Sequence, residues 1–140
     1  SGLIMEEDMS DAEAATNAPI PFARHIGVKP IEIGKDKIVA SMKVTPELCN
    51  PMGGLHGGAA MSLADTLGAM GAWRNLPEGA AGTTTLESKT NFIGVARVGD
   101  TVIGEATPVH VGKRTSVWTT RITTEAGKLV AVVTQTQMTL

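Results

Sequence analysis

Between Asn50 and Met70 the chain reads NPMGGLHGGAAMSLADTLGAM, where nearly every residue is apolar or tiny and Asp65 places a carboxylate in the middle. An ionised carboxylate taken out of water is costly unless it is paired or hydrogen-bonded. Asp65 can be structural, pairing with a basic residue such as Arg74 or Lys89 or bonding backbone amides. It can also be a general base or nucleophile in a dry cleft, with Ser62 and Thr66 placed to orient it or a water. A second feature is the run HGG. Gly57 and Gly58 fall in the first turn of the helix that follows, where backbone amides lack internal partners and the dipole is positive. With no side chain to block approach, they suit an oxyanion or a polarised carbonyl. The plainer alternative is that both glycines only permit a tight turn.

One helix cannot bring both features to one carbonyl. Asp65 lies eight residues beyond Gly57, or ~12 Å along a helix rising 1.5 Å per residue. The lean of side chains toward the N-terminus shortens this by only a few ångströms. A reacting carbonyl must sit ~3 Å from both base and oxyanion donor. If both take part, they come from different copies of the chain. Two antiparallel helices across a twofold axis would set each Asp65 against the other copy's Gly57, giving two equal sites per dimer.

The elements that must hold these residues follow from periodicity. PFARHIGVKPIEIG reads as a short helix or turn leading into a strand. In KDKIVASMKV, Ile38, Ala40, Met42 and Val44 alternate with Val39, Ser41 and Lys43, which is a strand. The helix predicted from Gly57 to Trp73 is ~25 Å long and apolar around almost its whole circumference, the mark of a buried helix. Four strands follow: GTTTLESKTNFI, DTVIGEATPVHV, RTSVWTTRITT and KLVAVVTQTQMTL, rich in β-branched residues and separated by Gly turns. Short links predict antiparallel neighbours. The expected fold is α+β: an antiparallel sheet of five long strands curled around one long central helix. Such a sheet covers the helix incompletely, which predicts a partner subunit.

Composition limits the rest. The chain has 140 residues, enough for one domain, with 42% hydrophobic residues but only 3% aromatic and no Tyr. The core is therefore expected to be built mainly from Ala, Val, Ile, Leu and Met. Formal charge is −2, yet residues 1–20 hold five acids and no base, leaving nine acids and 12 bases on the remainder. An acidic leader over 1–20, solvated or a fraying helix at SDAEAAT, would precede a mildly basic domain over 21–140. With no dense basic stripe and few aromatics, nucleic-acid binding is not expected. No apolar run reaches the ~18 residues of a membrane span. The absence of a signal-peptide pattern and of a possible intrachain disulfide point to a cytoplasmic setting. Cys49, the one cysteine, reads as a small buried side chain with no base to activate it. His25 and His110 are isolated. His56 has no partner at the spacing of a metal site or triad, so no metal is expected.

Asn50, Gly54-Leu55-His56-Gly57-Gly58, Leu63-Ala64-Asp65-Thr66, Gly112-Lys113-Arg114-Thr115 and Gly127-Lys128-Leu129-Val130-Ala131 together resemble the hotdog-fold acyl-CoA thioesterases of the PaaI-like (phenylacetate-type) branch. The likeness spans roughly residues 22–140. It implies a curled antiparallel sheet around a central helix, paired into homodimers and often homotetramers. It implies hydrolysis of an acyl-CoA at the dimer interface, with no cofactor beyond the coenzyme A of the substrate. By this resemblance Asp65 matches the catalytic carboxylate, and Gly57 the amide that polarises the thioester carbonyl. Asn50 and His56 match the polar loop residues beside it. Thr85 matches a Ser/Thr position that orients water, with Thr84 a rival one residue away. Gly58 and Thr66 join the substrate-binding set, and Lys113 and Arg114 are candidates to grip the phosphates of CoA.

Two rivals share the fold. The hydratase branch has a D-x4-H pattern, which fails here because Pro51 stands five residues before His56. A dehydratase pairing a loop His with a helix carboxylate fits His56 and Asp65 loosely, but not the HGG context. A rival of a different class is a non-catalytic acyl-CoA sensor; such regulators generally carry an added DNA-binding segment, for which the leader is too short and too acidic.

Overall fold

The computed structural model describes residues 20–140, so the acidic leader and its candidate helix lie outside the described residues. A short helix α1 (Pro21–His25) leads into β1 (Val28–Ile33) and β2 (Ile38–Lys43). After a 3-10 turn at Pro46–Leu48 and the Gly-rich loop comes α2 (Gly57–Arg74). The second half is β3 (Thr83–Phe92), β4 (Thr101–Val111), β5 (Thr115–Thr124) and β6 (Leu129–Thr139). All pairings are antiparallel, in one six-stranded sheet of order β1-β2-β4-β5-β6-β3. The sheet curls around α2, which touches β2 through β6.

Period-two alternation located the strands and the inner face of β2, where Ile38, Ala40, Met42 and Val44 are all buried as it predicts. It did not identify neighbours. β3 and β4 are joined by residues 93–100 yet are not adjacent; β3 pairs with β6 and β4 pairs with β2. The expectation of consecutive antiparallel neighbours therefore fails at this connection. Alternation says which way a side chain faces, while partner choice is made by contacts distant in sequence. VKPIEI adds a sixth strand to the five expected long ones. It lies at a sheet edge, where Pro30 sacrifices no ladder bond of a central strand.

The helix is not buried all round. Leu63, Ala64, Leu67, Gly68, Met70 and Gly71 face the sheet and are buried. Gly58, Met61, Asp65 and Trp73 form an exposed stripe along the uncovered side. Contact on the covered side is close because two helix glycines allow it. A β-carbon at Gly71 would lie 2.6 Å from the Trp118 ring, and one at Gly68 would overlap the Gln135 amide. Each such glycine costs the helix ~1 kcal/mol relative to alanine. In exchange, Trp118 packs fully buried beneath the helix, its indole N–H donating to Ser116 Oγ at 3.0 Å.

Candidate active site

Asp65 sits on the open stripe of α2, at the border with β3, and in the single chain it is exposed rather than enclosed in a dry cleft. Its partners are neutral. Thr85 Oγ1 donates to Asp65 Oδ1 at 2.6 Å, and Gln135 Nε2 donates to the same oxygen at 3.3 Å. The basic partners considered from the sequence are not used. Lys89 donates instead to Asn91 Oδ1 at 2.7 Å, and no ion pair to Asp65 occurs among the described residues. Asp65 Oδ2 makes no hydrogen bond among the described residues.

Thr85 reaches Asp65 because β3 crosses beside the helix and alternation turns Thr83 and Thr85 inward, while Thr84 faces out and is exposed. Immediately afterwards the strand bulges between Thr85 and Glu87. The extra residue, Leu86, shifts the phase, so that Ser88 and Thr90 become the inward pair. Behind Thr85 stand two glutamines of β6 that sequence reasoning passed over. Gln137 Nε2 donates to Thr85 Oγ1 at 2.6 Å, and Thr83 Oγ1 donates to Gln137 Oε1 at 3.0 Å. The signal was present: in TQTQMTL the glutamines share the face of buried Val133, where a core strand should carry aliphatics.

At the tip of α2 the orphan amides can be accounted for one by one. His56 is the N-cap, and its Nδ1 accepts from the Gly58 amide at 2.8 Å. The acceptor role leaves the ring proton of a neutral His56 on Nε2. Ala59 and Ala60 both donate to the His56 carbonyl, at 2.9 and 3.1 Å. Only the Gly57 amide of this first turn makes no hydrogen bond among the described residues. Gly58, expected to serve substrate, has its amide committed to the cap. Beside Gly57 lies the Phe92 ring, 3.0 Å from where a β-carbon would be; this aromatic neighbour was also missed in the sequence.

Asn50 shapes the loop before the tip. Its Oδ1 accepts from the amides of Met52 at 2.9 Å and Gly54 at 3.2 Å, so only its Nδ2 is left to meet a ligand. Thr66 is buried and back-bonds to the Ser62 carbonyl at 2.8 Å, serving the helix rather than Asp65. Lys113 and Arg114 are exposed at the β4–β5 turn. That turn lies at the end of the sheet where β3 begins, since the Arg114 carbonyl accepts from Thr139, whose strand partner is Thr83. Cys49, expected to be buried, is half-buried and packs against the core. It helps line a cavity of about 690 Å³ between α1, the 3-10 turn and the first turns of α2, with Phe22, Ile26, Leu48, His56 and Ser62. Asp65 is not among the residues lining it. No group of His, Cys, Asp and Glu able to hold a metal occurs among the described residues, and none of their helices is long and apolar enough to cross a membrane.

The arrangement thus offers a carboxylate with one free oxygen and, separately, a helix tip with one free amide. Residues 52–131 match the family model described as Thioesterase superfamily, and the chain belongs to this family of hotdog-fold thioester hydrolases. It is 37% identical over 97 residues to a 1,4-dihydroxy-2-naphthoyl-CoA hydrolase of Escherichia coli, covering 69% of this chain and 70% of that one. Among solved structures it resembles the thioesterase HI1161 of Haemophilus influenzae, with a TM-score of 0.81, 31% identity and coverage of 92% and 87% of the two chains. It also resembles the PaaI protein from the phenylacetic acid degradation operon of E. coli, with a TM-score of 0.78, 27% identity and coverage of 84% and 83%.

Proposed function

We propose that the protein hydrolyses an aryl- or medium-chain acyl-CoA to the free acid and CoA, at a site completed by two copies of the chain. The observation that carries this reading is the pair of unspent groups on one helix, the Gly57 amide and Asp65 Oδ2. They are too far apart along the axis to meet one carbonyl, so each works with its counterpart in a second copy. Two surfaces support the pairing. The open stripe of α2 carries Met61 and Trp73, the latter 59% exposed. β3 is a sheet edge with Leu86 and Phe92 both 57% exposed. An unpaired edge strand is a template for another strand, and joining two β3 edges would lay two helices side by side. A further tetramer is compatible with this dimer.

In the reaction the thioester carbonyl lies against the Gly57 amide, which donates to its oxygen as negative charge develops. Asp65 of the other copy removes a proton from the attacking water; alternatively its carboxylate attacks, and water then cleaves the mixed anhydride. In either course the C–S bond breaks, the sulfur leaves as thiolate and takes up a proton, and the acyl carbon keeps the water oxygen. Thr85 holds Asp65, Asn50 Nδ2 and His56 Nε2 border the carbonyl, and the cavity beside the helix tip accommodates the acyl group. Lys113 and Arg114 meet the CoA phosphates.

Thiol release from a panel of aryl- and acyl-CoAs, followed with a chromogenic disulfide, tests the reading. Asp65→Asn is expected to lose ~100-fold or more in kcat, as for removal of a general base, and sedimentation should give a dimer. Full activity in Asp65→Asn, or in a monomer, would refute it. Water addition to an enoyl-CoA without thiol release would point to a hydratase instead.

A further inference from the structure

The polar cluster behind Asp65 is larger than the proposed reaction needs. Gln137 Nε2 donates to Thr85 Oγ1, and Thr85 Oγ1 donates to Asp65 Oδ1, both at 2.6 Å. A hydroxyl has one proton to give. Once Gln137 has placed a donor on the threonine oxygen, that proton is directed to the carboxylate. The glutamine is itself oriented from its far end, where Oε1 accepts from Thr83 at 3.0 Å. Gln135 adds a longer contact, its Nε2 shared between Asp65 Oδ1 at 3.3 Å and the Asp65 carbonyl at 3.4 Å. Every donor to the carboxylate therefore falls on Oδ1, and Oδ2 is left unpaired among the described residues.

Stability alone does not explain these glutamines. Gln135 is 0% and Gln137 1% exposed. Gln135 Oε1 is buried with no hydrogen-bond partner, and a helix glycine, Gly68, is needed to make room for the amide. An aliphatic side chain would fill the site with no unpaired buried polar atom, and a short one such as valine would not need the glycine either. Buried polar groups that burden the fold in this way are expected where they serve function.

We propose that Gln135 and Gln137 are positioning residues for Asp65. Gln137 acts through Thr85 and Gln135 directly; together they load one carboxylate oxygen with donors and present Oδ2 as the reacting atom. This rests on the reading of Asp65 as the catalytic carboxylate.

The test is a set of variants of the full chain: Gln137→Met, Gln135→Met, Thr85→Val, Thr85→Ser, the double Gln137→Met with Thr85→Val, and Asp65→Asn. For each, kcat and KM are measured on the acyl-CoA that the unaltered protein turns over best, alongside a thermal melt. Gln137→Met should lower kcat about tenfold with KM unchanged, the scale of one lost hydrogen bond. Thr85→Val should lose at least as much, and Thr85→Ser should recover most of it. The double variant should be no worse than Thr85→Val, because Gln137 acts through the hydroxyl. Gln135→Met should have a smaller effect of the same kind, and the melts should be unchanged or higher. Wild-type kcat in both glutamine variants, strictly additive losses in the double, or losses that follow a lowered melt would overturn the proposal. Should Gln137→Met not fold, Gln137→Leu is judged by the same criteria. Full activity in Asp65→Asn would remove the underlying reading; an inactive Asp65→Asn beside fully active glutamine variants would remove this inference alone.

Discussion

The two long faces of α2 are made from similar residues and do opposite work. The face on the sheet is closed: Leu63 and Leu67 are fully buried, Gly71 admits the Trp118 ring, and Ala60 and Ala64 fill what remains. The other face, with Gly58, Met61, Asp65 and Trp73, is open in the single chain. It carries the carboxylate, and the tip beside it the unused amide. One face holds the fold by close packing; the other carries the groups of the proposed reaction and leaves surface to be covered. The difference teaches that the small apolar residues of the helix have two uses, close packing on one side and unobstructed approach on the other. If so, substitutions on the two faces should separate stability from catalysis.

The largest effect belongs to the closed face. Trp118→Ala removes a fully buried indole and leaves a cavity opposite Gly71, at a cost of ~3–5 kcal/mol of folding free energy. Chemical denaturation would report this as a lowered midpoint. Under conditions where the variant is still folded, kcat should fall no further than in Gln135→Met, because the indole packs at Gly71, remote from the helix tip, and borders the site only through Gln135, its cross-strand neighbour. A large loss of kcat at full folding would mean that the two faces are coupled, and the separation would not hold.

Gly57→Pro makes the opposite separation at the helix tip. Proline at the first helical position deletes the one unsatisfied amide of the turn, and it is well tolerated there because that amide has no partner in the helix. The preceding residue must be extended, and His56 already is, at φ −62° and ψ 136°. The Phe92 ring, 3.0 Å from the site of the new β-carbon, is exposed enough to move aside. kcat should fall ~10²- to 10³-fold, or ~2.7–4 kcal/mol, the scale of an oxyanion donor, while the melt stays close to that of the unaltered protein. Near-normal turnover in a folded Gly57→Pro would eliminate the amide as the carbonyl's partner.

Much of this division is legible in the amino-acid sequence, for a physical reason. HGG before an apolar helix and a lone Asp within it are local signals, set by helix periodicity and by the chemistry of unsatisfied amides. The strands are equally local, and β2 shows the expected inner face residue by residue. What the sequence hides is non-local. Nothing in residues 93–100 indicates that β3 leaves β4 to pair with β6, and that pairing is what sets Gln137 beside Thr85. The bulge at Leu86, which fixes which threonines turn inward, is equally invisible to a strict alternation. The apolar circumference of α2 suggested burial on every side, because hydropathy does not record whether the covering comes from the same chain.

His56 stands where the two faces meet, and its substitution has the smallest effect while sharpening the comparison most. As N-cap it satisfies the Gly58 amide through Nδ1 at 2.8 Å. His56→Ala should therefore cost ~1 kcal/mol, a fall in melting temperature of ~3–5 °C for a chain of this size. Asparagine is a better N-cap than histidine by residue preference, so His56→Asn should restore the melt fully. Activity then separates two roles that stability cannot. If the imidazole does no more than cap the helix, His56→Asn is as active as the unaltered protein, and the tip contributes only the Gly57 amide. If Nε2 also donates to the substrate, His56→Asn melts normally but turns over more slowly, with the loss in kcat rather than in KM. The second outcome would extend the proposed catalytic face of α2 one residue ahead of its first turn, into the cap itself.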